Sequence, residues 1–198
     1  MVKRRPKSSS QKRTASGFVR IISGLWRGRK LPVYDVEGLR PTTDRVKETV
    51  FNWIAQDVPM SSCLDLFSGS GSLGFEAASR QAKNVVMIEL DKQVANQLKT
   101  NASTLKAENI DIINANALSF LEQPATPFDM VFIDPPFRKA LIEQVISRLE
   151  TDQWLSHDAL IYIESEKDWP TNSIPSHWHL YKEKFAGQVA FRLYQRQC

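Results

Sequence analysis

The segment Cys63–Gly74, CLDLFSGSGSLG, constrains the fold more than any other part of the chain. A short apolar run passes into serines and glycines, and Phe75 to Arg80 then begins a helix, so the segment reads as buried strand, tight turn, helix. It is followed by further alternation. Strands are expected at Cys63–Phe67, Val85–Leu90, Ile110–Asn114, Met130–Asp134 and Ala159–Glu164, with helices after Ser72, Asp91, Ala117 and Phe137. Such alternation predicts an α/β fold, a doubly wound Rossmann-like sheet, mostly parallel and covered on both faces, with ligands beyond the strands' carboxyl ends. The alternation then stops: His177–Lys184 and Gln188–Gln195, joined around Gly187, predict a closing antiparallel hairpin.

Gly69, Gly71 and Gly74 satisfy GxGxxG, and Glu89 stands about 20 residues on, where an acid can hold ribose hydroxyls. A nicotinamide dehydrogenase is therefore one reading. Asp65 points elsewhere: an acid four residues before the first glycine opposes a pyrophosphate and favours a cationic ligand. S-adenosylmethionine has a sulfonium and an ammonium and no phosphate, so the methyl donor fits better than the dinucleotide. Asn116 and Ala117 follow the third strand, where the adenine edge needs a polar partner; Asn116 serves equally well as the N-cap of the next short helix.

The second motif is Asp134-Pro135-Pro136-Phe137. The prolines have no N–H to donate, so neighbouring carbonyls are left as acceptors in a stiff turn. An exocyclic amine on a base is a poor nucleophile, because its lone pair is conjugated with the ring. The Asp134 carboxylate and the Pro135 carbonyl, accepting its two hydrogens, would favour a pyramidal nitrogen whose lone pair faces a methyl group. Phe137 would stack on the extruded base. The plainer reading is a rigid strand-to-helix turn with a capping acid.

Charge is distributed unevenly. Residues 1–60 hold 13 Lys and Arg against 5 Asp and Glu, a balance of +8, so a total of +4 leaves −4 for the remainder. A basic end on a mildly acidic body suits a polyanionic partner. Residues 1–17 are expected to be a disordered basic tail, and 18–58 an extension made of a hairpin over 18–33 and a helix capped by Thr43, with Val46, Val50, Phe51 and Ile54 on its packing face. Arg20, Arg27, Arg29 and Lys30 line the hairpin around Trp26, and Arg45 and Lys47 fall off the helix's apolar face. Residues 59–198 make the catalytic domain. Cys63 and Cys198 form no disulfide framework, and no apolar run is long enough to span a bilayer, so a cytoplasmic protein is expected. His177 and His179 have no third partner at metal-ligand spacing, and no metal is expected. Trp154, Trp169 and Trp178 are read as packing groups.

With both motifs in place, the chain resembles the class I adenosylmethionine-dependent methyltransferases, and more narrowly the RsmD family, which methylates the N2 amine of a guanine in small-subunit (16S) ribosomal RNA. The marks are RIISGLWRGRKLP at 20–32, RPTTDRVKETVFNWI at 40–54, DLFSGSGSLGFEA at 65–77 and DPPF at 134–137. The resemblance implies that Asp65, Phe67, Ser68, Gly69 and Gly71 line the donor site. It implies that Glu89 holds the ribose, with Leu90 beside the adenine and Asn116 with Ala117 at its edge. Asp134, Pro135, Pro136 and Phe137 become the target-amine site, and Arg20, Arg27, Arg29, Lys30, Arg40, Arg45 and Lys47 become RNA contacts. A doubly wound sheet of strand order 3-2-1-4-5-7-6, in a monomer acting on 16S rRNA within a small-subunit particle, is the implied arrangement. Two rivals stand beside it: an N6-adenine methyltransferase, whose turn has the same form, and a non-catalytic RNA-binding protein with a relic pocket.

Overall fold

The computed structural model describes residues 15–34, 43–136 and 141–197. Arg40, Phe137, Cys198 and residues 1–14 of the basic tail lie outside the described residues. Seven strands form the main sheet: β3 (Ser62–Asp65), β4 (Asn84–Glu89), β5 (Ile110–Asn114), β6 (Phe128–Ile133), β7 (Leu155–Glu166), β8 (Trp178–Ala186) and β9 (Val189–Arg196). Their order is β5-β4-β3-β6-β7-β9-β8, which is 3-2-1-4-5-7-6 counted within the sheet. The first five are parallel, and β9 enters antiparallel between β7 and β8.

Alternating side chains divide the core into two layers. Cys63, Met130, Phe132 and Tyr162 point to one face, covered by α1 (Asp44–Trp53), α2 (Ser72–Ser79) and α3 (Lys92–Leu105). Leu64, Leu66, Val131, Ile133 and Ile163 point to the other, covered by α4 (Ala117–Phe120) and α5 (Leu141–Thr151). The helix starts follow from local chemistry. Thr43 caps α1 by accepting from the Val46 N–H, and Asp91 caps α3 by accepting from Gln93 and Val94.

Strands β1 (Ala15–Arg20) and β2 (Lys30–Tyr34) pair antiparallel. The first begins at Ala15, inside the 1–17 stretch expected as tail. The connection between them is not a free turn either. Glu76 of α2, fully buried, accepts from the backbone N–H groups of Ile22 (2.8 Å) and Ser23 (3.0 Å) and from Arg80 Nε (2.8 Å). Ser79 Oγ donates to the Ser23 carbonyl and accepts from the Trp26 N–H, while the Ser79 carbonyl accepts from the Leu25 N–H at 2.8 Å. Gly24 has φ +81°, and a Cβ there would lie 1.9 Å from the Ser79 oxygen, so both conformation and space demand glycine. Ile21 and Leu31 join the first core layer, and Trp26 packs on it half-buried. The extension thus shares its core with the sheet.

Lys47 departs from expectation. Its side chain is only 1% exposed, with the ammonium donating to the Arg20 carbonyl and standing 3.7 Å from Asp44 Oδ1. The helical wheel sets it beside the apolar stripe, so α1 packs it against β1 rather than presenting it to solvent. It is therefore unsuited to the RNA contact expected of it.

Candidate active site

Strand β3 delivers Asp65 to the carboxyl edge of the sheet, and the chain then turns through 66–71 into α2. The turn uses positive φ at Gly69 (49°) and Gly71 (78°), and Gly71 is the N-cap of α2. Asp65 is buried; Oδ2 accepts from the Gly74 N–H at 3.1 Å, and the carboxylate also accepts from the Phe67 backbone. These bonds tie the two ends of the turn together. Burial nevertheless dominates and pushes the Asp65 carboxyl up to about 7.

At the end of β4, Glu89 closes the turn from the other side, with Oε2 accepting from the Gly69 N–H (2.8 Å) and Oε1 from the Asp91 N–H (2.7 Å). Burial raises this carboxyl as well. Leu90 beyond it is 68% exposed, an apolar surface left open at the rim. Asn114 Nδ2 pins the carbonyls of Glu89 and Leu90. Asn116 caps α4, its Oδ1 accepting from Leu118 (2.9 Å) and Ser119 (3.2 Å). The capping alternative is thus realised, and what Asn116 can offer a ligand is its Nδ2 hydrogens.

Strand β6 ends at Ile133 and is followed directly by Asp134, then by Pro135, which is buried, and Pro136, which is exposed. Strand β7 runs beside it in register, Phe132 opposite Tyr162 and Ile133 opposite Ile163, so Glu164 is the neighbour of Asp134.

A single cavity of about 1000 Å³ runs along these strand ends. It is lined by Asp65, Phe67, Ser68 and Gly69 from the glycine turn, by Glu89 and Leu90 from β4, and by Asn116 and Ala117 from the start of α4. At its other end stand Asp134, Pro135 and Pro136. The two motifs, about sixty residues apart in sequence, thus share one space. Gly71 is the exception among the expected donor-site residues. It is not part of the lining, because its Cα faces inward, where a Cβ would come within 2.6 Å of the Phe75 ring and 2.8 Å of Leu98.

Several lining residues carry no signal in the sequence. Thr43 and Val46 reach the cavity from α1, and Ala186, Val189 and Phe191 close it from the hairpin. Glu164 is the most telling, since the expected strand order already set its strand beside that of Asp134. Among charged groups, the described lining has carboxylates at Asp65, Glu89, Asp91, Asp134 and Glu164 and a single ammonium at Lys92. That balance repels a pyrophosphate and suits a small cation with apolar parts, as S-adenosylmethionine is.

The expected RNA contacts lie elsewhere on the surface. Arg27, Arg29, Lys30 and Arg45 are exposed, and Arg20 is exposed but pairs with Asp44 at 3.1 Å. Among the described residues, no group of His, Cys, Asp or Glu could hold a metal ion, and no helix is long and apolar enough to cross a membrane.

Comparison with known proteins gives a consistent answer. A family profile described as "conserved hypothetical protein 95" matches residues 19–195. A protein of Escherichia coli K12 named ribosomal RNA small subunit methyltransferase D is 55% identical over 185 residues, 93% of each chain. Its counterpart in Haemophilus influenzae, of the same name, is 60% identical over 185 residues, covering 91% of this chain and 95% of that one. Among solved structures, a putative methyltransferase of Escherichia coli superposes with a TM-score of 0.85 at 55% identity, covering 92% of this chain and 99% of the other.

Proposed function

Since the chain belongs to the RsmD family, the one described as conserved hypothetical protein 95, we propose that it transfers a methyl group from S-adenosylmethionine to the exocyclic N2 of one guanine in small-subunit (16S) ribosomal RNA. The observation that carries the reading is the single cavity joining the acidic glycine turn to the Asp134-Pro135-Pro136 turn. It gives a methyl donor and a target amine one space in which to meet.

Bound S-adenosylmethionine would supply a methyl group on a positively charged sulfur, and a neutral thioether would remain. Asp65 and Glu89 hold the donor end: Asp65 offers negative charge to a cation, and Glu89 faces the ribose hydroxyls. Leu90 would cover the adenine, with Asn116 and Ala117 at its edge. Asp134 and the Pro135 carbonyl accept the two hydrogens of the target amine and aim its lone pair along the methyl–sulfur axis. Phe137, outside the described residues, is assigned the role of stacking on the base. Held in line with that methyl group, the target nitrogen would take it and give up one proton, to Asp134 or to water. Catalysis on this reading is orientation and electrostatics, with no covalent enzyme intermediate; Cys63 is buried, and burial pushes its thiol up to about 12.

Residues 18–58 serve as the RNA-binding extension of a catalytic domain over 59–198, with Arg20, Arg27, Arg29, Lys30, Arg40 and Arg45 as the phosphate contacts. The enzyme works as a monomer in the cytoplasm, on rRNA in an assembling small subunit, as the ribosomal substrate favours. The test is transfer of labelled methyl to unmodified small-subunit rRNA, to the protein-loaded subunit and to duplex DNA, followed by nucleoside analysis. N2-methylguanosine from a ribosomal acceptor is the expected result. N6-methyladenine, or no label in any acceptor, would overturn it.

A further inference from the structure

We propose that Glu164 makes the target slot select guanine, by accepting the N1–H of the base next to the two acceptors that hold its N2 amine. The proposal rests on the reaction assigned above, which by itself leaves the choice of base unexplained. An acid and a carbonyl in an Asp-Pro-Pro turn can hold the two hydrogens of any exocyclic amine. They fit the N6 of adenine as well as the N2 of guanine, so they cannot choose between the bases. The neighbouring ring nitrogen can: in guanine N1 carries a hydrogen, and in adenine N1 is a bare lone pair. An ionised carboxylate only accepts. Placed beside N1 it bonds to guanine and confronts adenine with two acceptors face to face.

Glu164 is the carboxylate the fold puts there. Phe132 and Tyr162 stand opposite each other on β6 and β7, with ring centroids 6.3 Å apart on one face of the sheet. Two residues further along each strand come Asp134 and Glu164, and both line the cavity. Adjacent parallel strands are about 4.8 Å apart, so the two side chains leave neighbouring strand ends side by side and can converge on one edge of a base. The carboxylate is also oriented. Tyr162, fully buried, donates its hydroxyl to Glu164 Oε2 at 3.1 Å. Burial, and then the charges of Glu164 and Asp134, hold the Tyr162 hydroxyl well above its ordinary range, so it remains a donor.

The deciding experiment compares two ligated rRNA acceptors, with guanine or 2,6-diaminopurine at the methylated position. Diaminopurine keeps the N2 amine but has a bare lone pair at N1. The wild-type enzyme should prefer guanine by about 100-fold in kcat/KM. Glu164→Gln, whose amide can turn an N–H toward N1, should reduce that preference to within about tenfold while binding S-adenosylhomocysteine as the wild type does. Tyr162→Phe, which frees the carboxylate but keeps it, should fall between. Equal use of both acceptors by the wild type, or undiminished preference in Glu164→Gln, would overturn the proposal while leaving the reaction standing. If Glu164→Gln fails to fold, the wild-type ratio and Tyr162→Phe still decide. A wild-type enzyme that does not methylate the guanine acceptor would remove the reaction itself, and this inference with it.

Discussion

Asp134 and Asp65 are both acids at strand ends, yet the site asks different things of them. On the proposed reading Asp134 faces the target amine, so Asp134→Ala should leave donor affinity nearly intact while methyl transfer falls about 100- to 1000-fold. If calorimetry shows donor affinity dropping in step with activity, the role assigned to Asp134 is wrong. Asp65 is proposed to act through charge. Its carboxyl rises from an ordinary 3.8 to about 7 on folding, so between those values the folded chain holds a proton that the unfolded chain has released. That contribution to stability is therefore present at low pH and is lost as pH rises through about 7. A cation beside Asp65 reverses the preference and expels the proton. Donor affinity should accordingly increase from about pH 6 to about pH 8, and Asp65→Asn should abolish the component centred near 7, leaving only what Glu89 contributes. An unaltered pH profile in that variant would sink the idea. That Asp65, Glu89 and Asp134 line one cavity was legible because each stands in a motif whose spacing has a mechanical reason. Glu164 was not, since no motif surrounds it and its meaning comes from the strand beside it. Lys47 was misread because charge alone does not reveal which side of a short helix meets another element.

Among the elements, strands and helices of the sheet were readable from periodicity, and Thr43 was readable as a cap. The join between β1, β2 and α2 was not. It depends on Glu76 and Ser79 meeting backbone groups more than fifty residues earlier, and bonds of that range leave no local pattern. The join should nonetheless carry much of the extension's stability. Glu76→Ala strands two backbone donors and the Arg80 guanidinium, and should destabilise the protein by about 3 kcal/mol. Gly24→Ala introduces both a strained φ and an overlap with the Ser79 carbonyl, and should cost about 2–4 kcal/mol. Urea unfolding measures both; a midpoint unchanged by Gly24→Ala would mean that the 21–29 segment is not docked as described.

For the whole molecule, strict alternation made the parallel sheet legible and its abrupt end marked where the hairpin begins, while the strand order, which the structure matches to the last position, came with the family resemblance. Electrostatics is the other property of the whole. Lys3, Arg4, Arg5, Lys7, Lys12 and Arg13 contribute six positive charges, so deleting residues 1–14 takes the formal charge from +4 to −2. The deletion stops before Ala15, where β1 begins. RNA binding by the shortened chain should weaken, and its dependence on salt should become shallower, by about 0.7–0.9 in log–log slope for each phosphate no longer neutralised. A slope equal to that of the full chain would make the terminus a bystander.

The place of β9 between β7 and β8 has a consequence for biosynthesis. Ribosomes deliver a chain from its N-terminus, so β9 emerges after every other described strand, yet among the described strands β8 pairs with β9 alone, and Val189 and Phe191 form part of the cavity wall. A nascent chain paused before residue 189 can assemble the parallel half of the sheet, but β8 has no partner and the pocket has an open side. Competence to bind should arrive in one late step, when the last strand slides into the gap kept for it.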